Sequence, residues 1–209
     1  MSHAPEWKYC SEHMHVCLLS TTHHDIENAV RWRLAGDIFR VPWIDLTETK
    51  EVLTYKHPRK GPIPLLVTRS MLSEWHVDNE QVWNAAAIGD SEYADVIQDL
   101  NIRVCGKPAS GPYRPYVITD TSGLFGARAI QSGHIRKTLQ TYFPEGLYLI
   151  PSSINDWIAV SKQTISISVL EDHLQRINDT LSPTQKLSNH IFTLHDGRIR
   201  LARDDTNRR

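Results

Sequence analysis

Residues 116–130 read YVITDTSGLFGARAI and residues 147–160 read LYLIPSSINDWIAV. Residues 116–119, 147–150 and 157–160 are short apolar runs bounded by turn-forming residues, the signature of buried strands. Between the first two runs, Gly123 and Gly126 mark a helix start over 122–130, and residues 135–143 repeat apolar side chains at helical spacing. Pro151 ends the second strand, because proline donates nothing to a ladder, and Ser152 and Ser153 form the turn behind it. Strands therefore come in hairpin-sized pairs rather than in strict alternation with helices. No phosphate-binding glycine loop is present. The expected fold is α+β, a mainly antiparallel sheet packed with helices in a single domain.

Working towards the N-terminus, residues 78–87 carry a better helix signal. Val82, Trp83, Ala86 and Ala87 recur at helical spacing, and Asp78 with Gln81 forms a capping-box pair, while Gly89 ends or bends the helix. A second helix is expected over 93–100, before a Gly/Pro/Ser-rich connection at 106–115. Residues 56–64, KHPRKGPIP, form the clearest loop, leading into a strand at 63–68. Residues 25–39 follow helical spacing through Ile26, Ala29, Val30, Leu34 and Ile38, with Pro42 as the break. Residues 13–20 alternate like a half-buried strand or a short amphipathic helix. Towards the C-terminus, 165–177 has one helical apolar face, 187–194 has strand character, His195-Asp196-Gly197 is a turn, and 198–202 is the last strand. The expected division is an N-terminal segment at 1–14, one α+β domain at 15–203 and a charged tail at 204–209.

A chain of 209 residues buries one substantial core. Its 23 Lys and Arg stand against 24 Asp and Glu, so no global basic field drives binding to nucleic acid or anionic membranes. No secretory leader and no membrane-length apolar run is visible. Three cysteines cannot close a disulfide framework, which fits reduced thiols in a cytoplasmic protein.

Four pieces carry a resemblance: Tyr116-Val117-Ile118-Thr119-Asp120, Gly126-Ala127, Leu149-Ile150-Pro151-Ser152-Ser153, and Leu187-Ser188-Asn189-His190-Ile191-Phe192. Upstream, Val41-Pro42, Asp45-Leu46, Val67-Thr68, Trp75 and the segment from Trp83 to Ala87 also match. In these pieces the chain resembles the bacterial domain-of-unknown-function family numbered 5688, over about 15–201. The resemblance implies a bacterial origin, the company of mobile elements, and an N-terminus shortened relative to longer members. It implies no active site. One departure stands out: the family pattern has a His-Glu pair where this chain has Asn155-Asp156, and an amide does not titrate as imidazole does.

Four clusters offer chemistry. Cys10, His13, His15 and Cys17 form C-x2-H-x-H-x-C, in which two imidazoles on one strand face could share zinc, although the spacing matches no common zinc module; no other cofactor is expected. Ser152 and Ser153 beside Asp156 suggest a hydrolase corner without the flanking glycines of a nucleophile elbow and without an assignable base. Gly123, Gly126 and Arg128 could cradle an anion at a helix start, or else the glycine allows close packing. Arg59 and Lys60 centre the densest basic cluster, with a second at the C-terminus, but neither interleaves aromatic residues as a nucleic-acid platform does. Trp32, Trp43, Trp75, Trp83 and Trp157 read as core, and Trp7 as a terminal interface candidate.

No coherent catalytic set emerges. The expectation is a non-enzymatic binding or accessory protein with another protein as partner, acting as a mobile-element antagonist of host defence. Nucleic acid through local basic patches is the second partner class and no membrane is expected. The competing reading is a metal-dependent or serine hydrolase.

Overall fold

In the computed structural model, residues 5–23, 25–46, 64–108 and 113–202 are described. The basic cluster around Arg59 and Lys60, most of the loop expected at 56–64, and the tail at 204–209 lie outside them.

The N-terminal half is built on a four-stranded antiparallel sheet. Helix α1 (Trp7–Glu12) precedes β1 (Met14–Ser20), which pairs along its length with β3 (Ile38–Asp45). The other side of β3 is shared by β2 (Trp32–Ala35) at one end and β4 (Pro64–Leu66) at the other. All seven residues of β1 are buried, so this edge strand is covered on both faces rather than half-buried. Residues 25–39 do not form the expected helix. Gly36 takes φ +53°, and with Asp37 it makes the tight connection of a β2–β3 hairpin. Apolar residues spaced for one helix face serve here as two strands, because a turn at Gly36-Asp37 outweighs a weak period. Pro42 does not break β3; it sits opposite Val16, and its carbonyl accepts from Val67 N–H at 3.0 Å. The strand thus passes a residue that donates nothing by placing it where β2 gives way to β4.

Helices α2 (Arg69–Trp75) and α3 (Asn79–Asp90) follow. The expected capping box holds: Gln81 N–H donates to Asp78 Oδ1 at 2.9 Å and Asp78 N–H to Gln81 Oε1 at 3.0 Å. Helix α3 ends at Asp90, one residue past Gly89; a Cβ at Gly89 would lie 2.1 Å from Met14 O, so the glycine is where the helix touches β1.

The C-terminal half is a six-stranded antiparallel sheet in the order β10-β9-β7-β8-β6-β5. Its strands are β5 (Asp95–Asp99), β6 (Tyr116–Asp120), β7 (Leu147–Ser153), β8 (Asp156–Ser161), β9 (Phe192–His195) and β10 (Arg198–Leu201). The helix expected at 93–100 is β5 followed by α4 (Leu100–Cys105), the break coming at Asp99, whose carboxylate caps Asn101 and Ile102. The helix start expected at 122–130 is a turn and then a 3₁₀ helix (Gly126–Gln131), with α5 (Gly133–Tyr142) behind it. Strand β7 continues through Pro151 to Ser153 with a register shift, so the proline marks an irregularity rather than an end. Helix α6 (Ile167–Thr180) lies close to its expected place, and β9 occupies only the end of 187–194.

Alternation along β7 and β8 explains their continuous apolar runs. Leu147, Leu149, Trp157 and Ala159 face a core shared with α5, the 3₁₀ helix and Leu18, Ala35 and Ile38 of the first sheet. Tyr148, Ile150, Ile158 and Val160 face α6 through Leu170 and Leu174. One core therefore joins both sheets, as a single α+β domain requires. Among the described residues no helix is long and apolar enough to cross a membrane.

Candidate functional site

The Cys/His cluster is dispersed by the fold. Cys10 lies on α1 with its thiol donating to Pro5 O at 3.6 Å, and burial pushes that thiol up to about 12. Cys17 is buried in β1, its thiol donating to Val41 O at 3.4 Å and its pKa raised by burial first and by Asp90 second. His13 stacks on Tyr9 at 4.2 Å and bonds Tyr9 O. His15 sits between Trp43 and Tyr93, each ring 5.1 Å away, and burial disfavours its charged form. Among the described residues no three His, Cys, Asp or Glu side chains converge as a metal site would.

Ser152, Ser153 and Asp156 do come together, at the β7–β8 turn. Both hydroxyls donate to Asp156 Oδ1, Ser153 at 3.3 Å and Ser152 more closely, while Arg103 stands 3.9 Å from Asp156 Oδ2. Ser153 Oγ also accepts from Asn155 N–H at 3.0 Å. Among the described residues neither hydroxyl bonds a histidine. The arrangement is a turn held by a carboxylate.

Asn155 supports the neighbouring turn. Its Oδ1 accepts from Phe125 N–H at 2.9 Å, and its backbone oxygen accepts from Thr119 Oγ1 at 2.9 Å. Phe125 is held at φ +59°, an uncommon conformation for a side chain of that size. Gly126 follows where a Cβ would lie 2.3 Å from Thr119 Oγ1 and 2.6 Å from Asn155 O, so its role is close approach. Gly123, at φ +73°, has open space around its missing Cβ and serves the turn.

Arg128 points into the protein. Its Nε lies 2.7 Å from Asp120 Oδ2 and 3.5 Å from Asp90 Oδ1, its Nη1 4.0 Å from Asp95 Oδ1, and its guanidinium covers the Tyr93 ring. Three carboxylates from α3, β5 and β6 thus meet one cation from the 3₁₀ helix. Asp120 also accepts from Ser122 N–H at 2.9 Å. Asp90 accepts from Val16 N–H at 3.0 Å, closing the outer edge of β1. Burial first, and Asp120 after Arg128 and Val16 have pulled the other way, raise Asp90 to about 6. The cluster ties the two sheets together, and its cation is already paired.

The surface that sequence reasoning missed is a groove of about 610 Å³ beside α2 and α3, lined by Arg31, Trp32, Arg40, Arg69, Glu80 and Trp83. Trp32, expected in the core, is 66% exposed. The β2–β3 register sets Trp32 directly across from Arg40, whose guanidinium lies over Trp83 at 5.1 Å. Arg31 donates to Ile26 O at 3.0 Å and covers Phe39 at 5.1 Å. Arg40 and Arg69 stand against Glu80 in this lining, a formal excess of one positive charge, while the Arg31 guanidinium lies over Phe39, on the other face of β3 from Arg40. The detectable signal was Gly36-Asp37 between WRLA and IFRV: read as a hairpin turn, it pairs Trp32 with Arg40. Trp7 packs on Trp75 at 5.4 Å, half-buried rather than a free terminal aromatic.

No curated protein and no solved structure matches the chain. A family model described as "Family of unknown function (DUF5688)" matches residues 37–195, covering β3, the Arg128 cluster and five strands of the six-stranded sheet, β5 to β9, and the chain belongs to that family.

Proposed function

We propose that this protein acts by binding a macromolecular partner, a protein, and not by turning over a substrate. The observation that carries this reading is the groove: an exposed tryptophan with Arg40 and Arg69, on strands and a helix, a composition typical of interface anchors. The residues that suggested catalysis support it from the other side. Ser152, Ser153 and Asn155 are engaged in turns, Arg128 is paired, and Cys10 and Cys17 are buried thiols held protonated. An accessory or antagonist role in a bacterial cytoplasm, encoded on a mobile element and directed at host defence, is the biological setting of this proposal. Affinity capture from the native host tests it. A protein recovered specifically and in near-equal amount supports the reading; recovery of nucleic acid alone, or of nothing specific, sinks it.

A further inference from the structure

We infer that the groove beside α2 and α3 is the seat of an acidic segment of the partner protein, with aspartate or glutamate side chains meeting Arg40 and Arg69 and one apolar or aromatic side chain covering Trp32. The inference rests on the protein-binding reading above and names the chemistry that the partner must present.

Charge complementarity decides the ligand's sign. Among the described residues no carboxylate lies within ion-pair distance of Arg40 or Arg69; Glu80 supplies the single negative charge in the lining, and Asp90 acts on Arg40 only from further off. Guanidinium pairs with carboxylate through two parallel hydrogen bonds, a geometry that lysine does not reproduce. Arg40 is already ordered by Trp83, so binding immobilises less side-chain freedom. Trp32 leaves most of its ring in water, and covering it is favourable. Asn79 and Asn84 on the rim offer both donors and acceptors, as an extended peptide backbone requires.

Size and field favour a peptide over a polynucleotide. The volume falls within the roughly 300–1,000 Å³ of pockets that enclose a few side groups. A nucleic acid strand would run past a groove that encloses only a few side groups. A short acidic segment needs only the local excess.

The test is fluorescence anisotropy with a short labelled peptide of Asp and Glu around a central Phe-Leu pair. Its Asn/Gln counterpart and a labelled oligothymidylate serve as the comparison probes. The expected result is saturable binding of the acidic peptide alone, weakened by salt, and about tenfold weaker in Trp32→Ala and in Arg40→Gln at unchanged melting temperature. Arg69→Gln, at an exposed position, provides the same readout should either of the first two variants melt early. Absence of saturable binding, equal affinity in all variants, or tighter binding of the oligothymidylate would overturn the inference. A captured protein partner retained equally by wild type and Arg40→Gln would remove the groove as its seat while leaving the protein-binding reading intact.

Discussion

Asp90 carries more of the molecule's electrostatics than any residue singled out for catalysis. It closes the edge of β1 through Val16, faces Arg128, and is raised to about 6 by burial. The folded chain therefore holds a proton on Asp90 that the unfolded chain, with an ordinary carboxylate near 3.8, has released. Its contribution to stability is fully present below pH 3.8 and is lost as pH rises through about 6. Asp90→Asn keeps an acceptor for Val16 N–H and abolishes that titration. Urea melts from pH 4 to pH 7 should show the variant gaining roughly 1–3 kcal/mol on the wild type across the range; parallel curves would contradict the assignment. Gly89, one residue earlier, tests the packing beside it. Gly89→Ala places a methyl 2.1 Å from Met14 O, and overpacking against backbone should cost at least about 1–3 kcal/mol in a chemical melt. A neutral result would mean that α3 and β1 do not touch as described.

At the scale of elements, legibility followed how much each segment's identity depended on its own residues. The capping box at Asp78 and Gln81 and the strand cores at 116–119, 147–150 and 157–160 were readable, because the first needs two side chains at fixed spacing and the others are apolar on both faces. Residues 25–39 were misread because five apolar residues at helical spacing were weighed above Gly36-Asp37, whose turn geometry decided the matter. Residues 93–100 were misread for a similar reason: β5 is a short strand whose pairing to β6 is long-range, invisible to a local period. The hairpin offers a direct check. Gly36→Ala forces a left-handed residue to carry a Cβ 3.0 Å from Leu201 Cδ2, where β2 meets β10. It should cost about 1–2 kcal/mol and lower the melting temperature by several degrees. An unchanged melt would mean that the turn is not in this conformation.

On the scale of the whole molecule, the sites legible in the sequence and the site favoured by the structure are different places. Clusters close together in sequence, such as Cys10 to Cys17 or Ser152 to Asp156, turned out to be strand, turn and core. The groove draws Arg31, Arg40, Arg69 and Trp83 from four separate stretches, and no spacing rule links residues that distant. Net charge was equally silent, since a near-neutral total conceals a local excess of cations. What remains among the described residues, after the paired and buried groups are set aside, is the groove proposed as a binding surface on an α+β scaffold. The most direct test is capture from the native host with wild type and Trp32→Ala run side by side at matched stability. The prediction is a specific protein recovered by the wild type and depleted by the variant; failure of the wild type to recover any specific protein would contradict it.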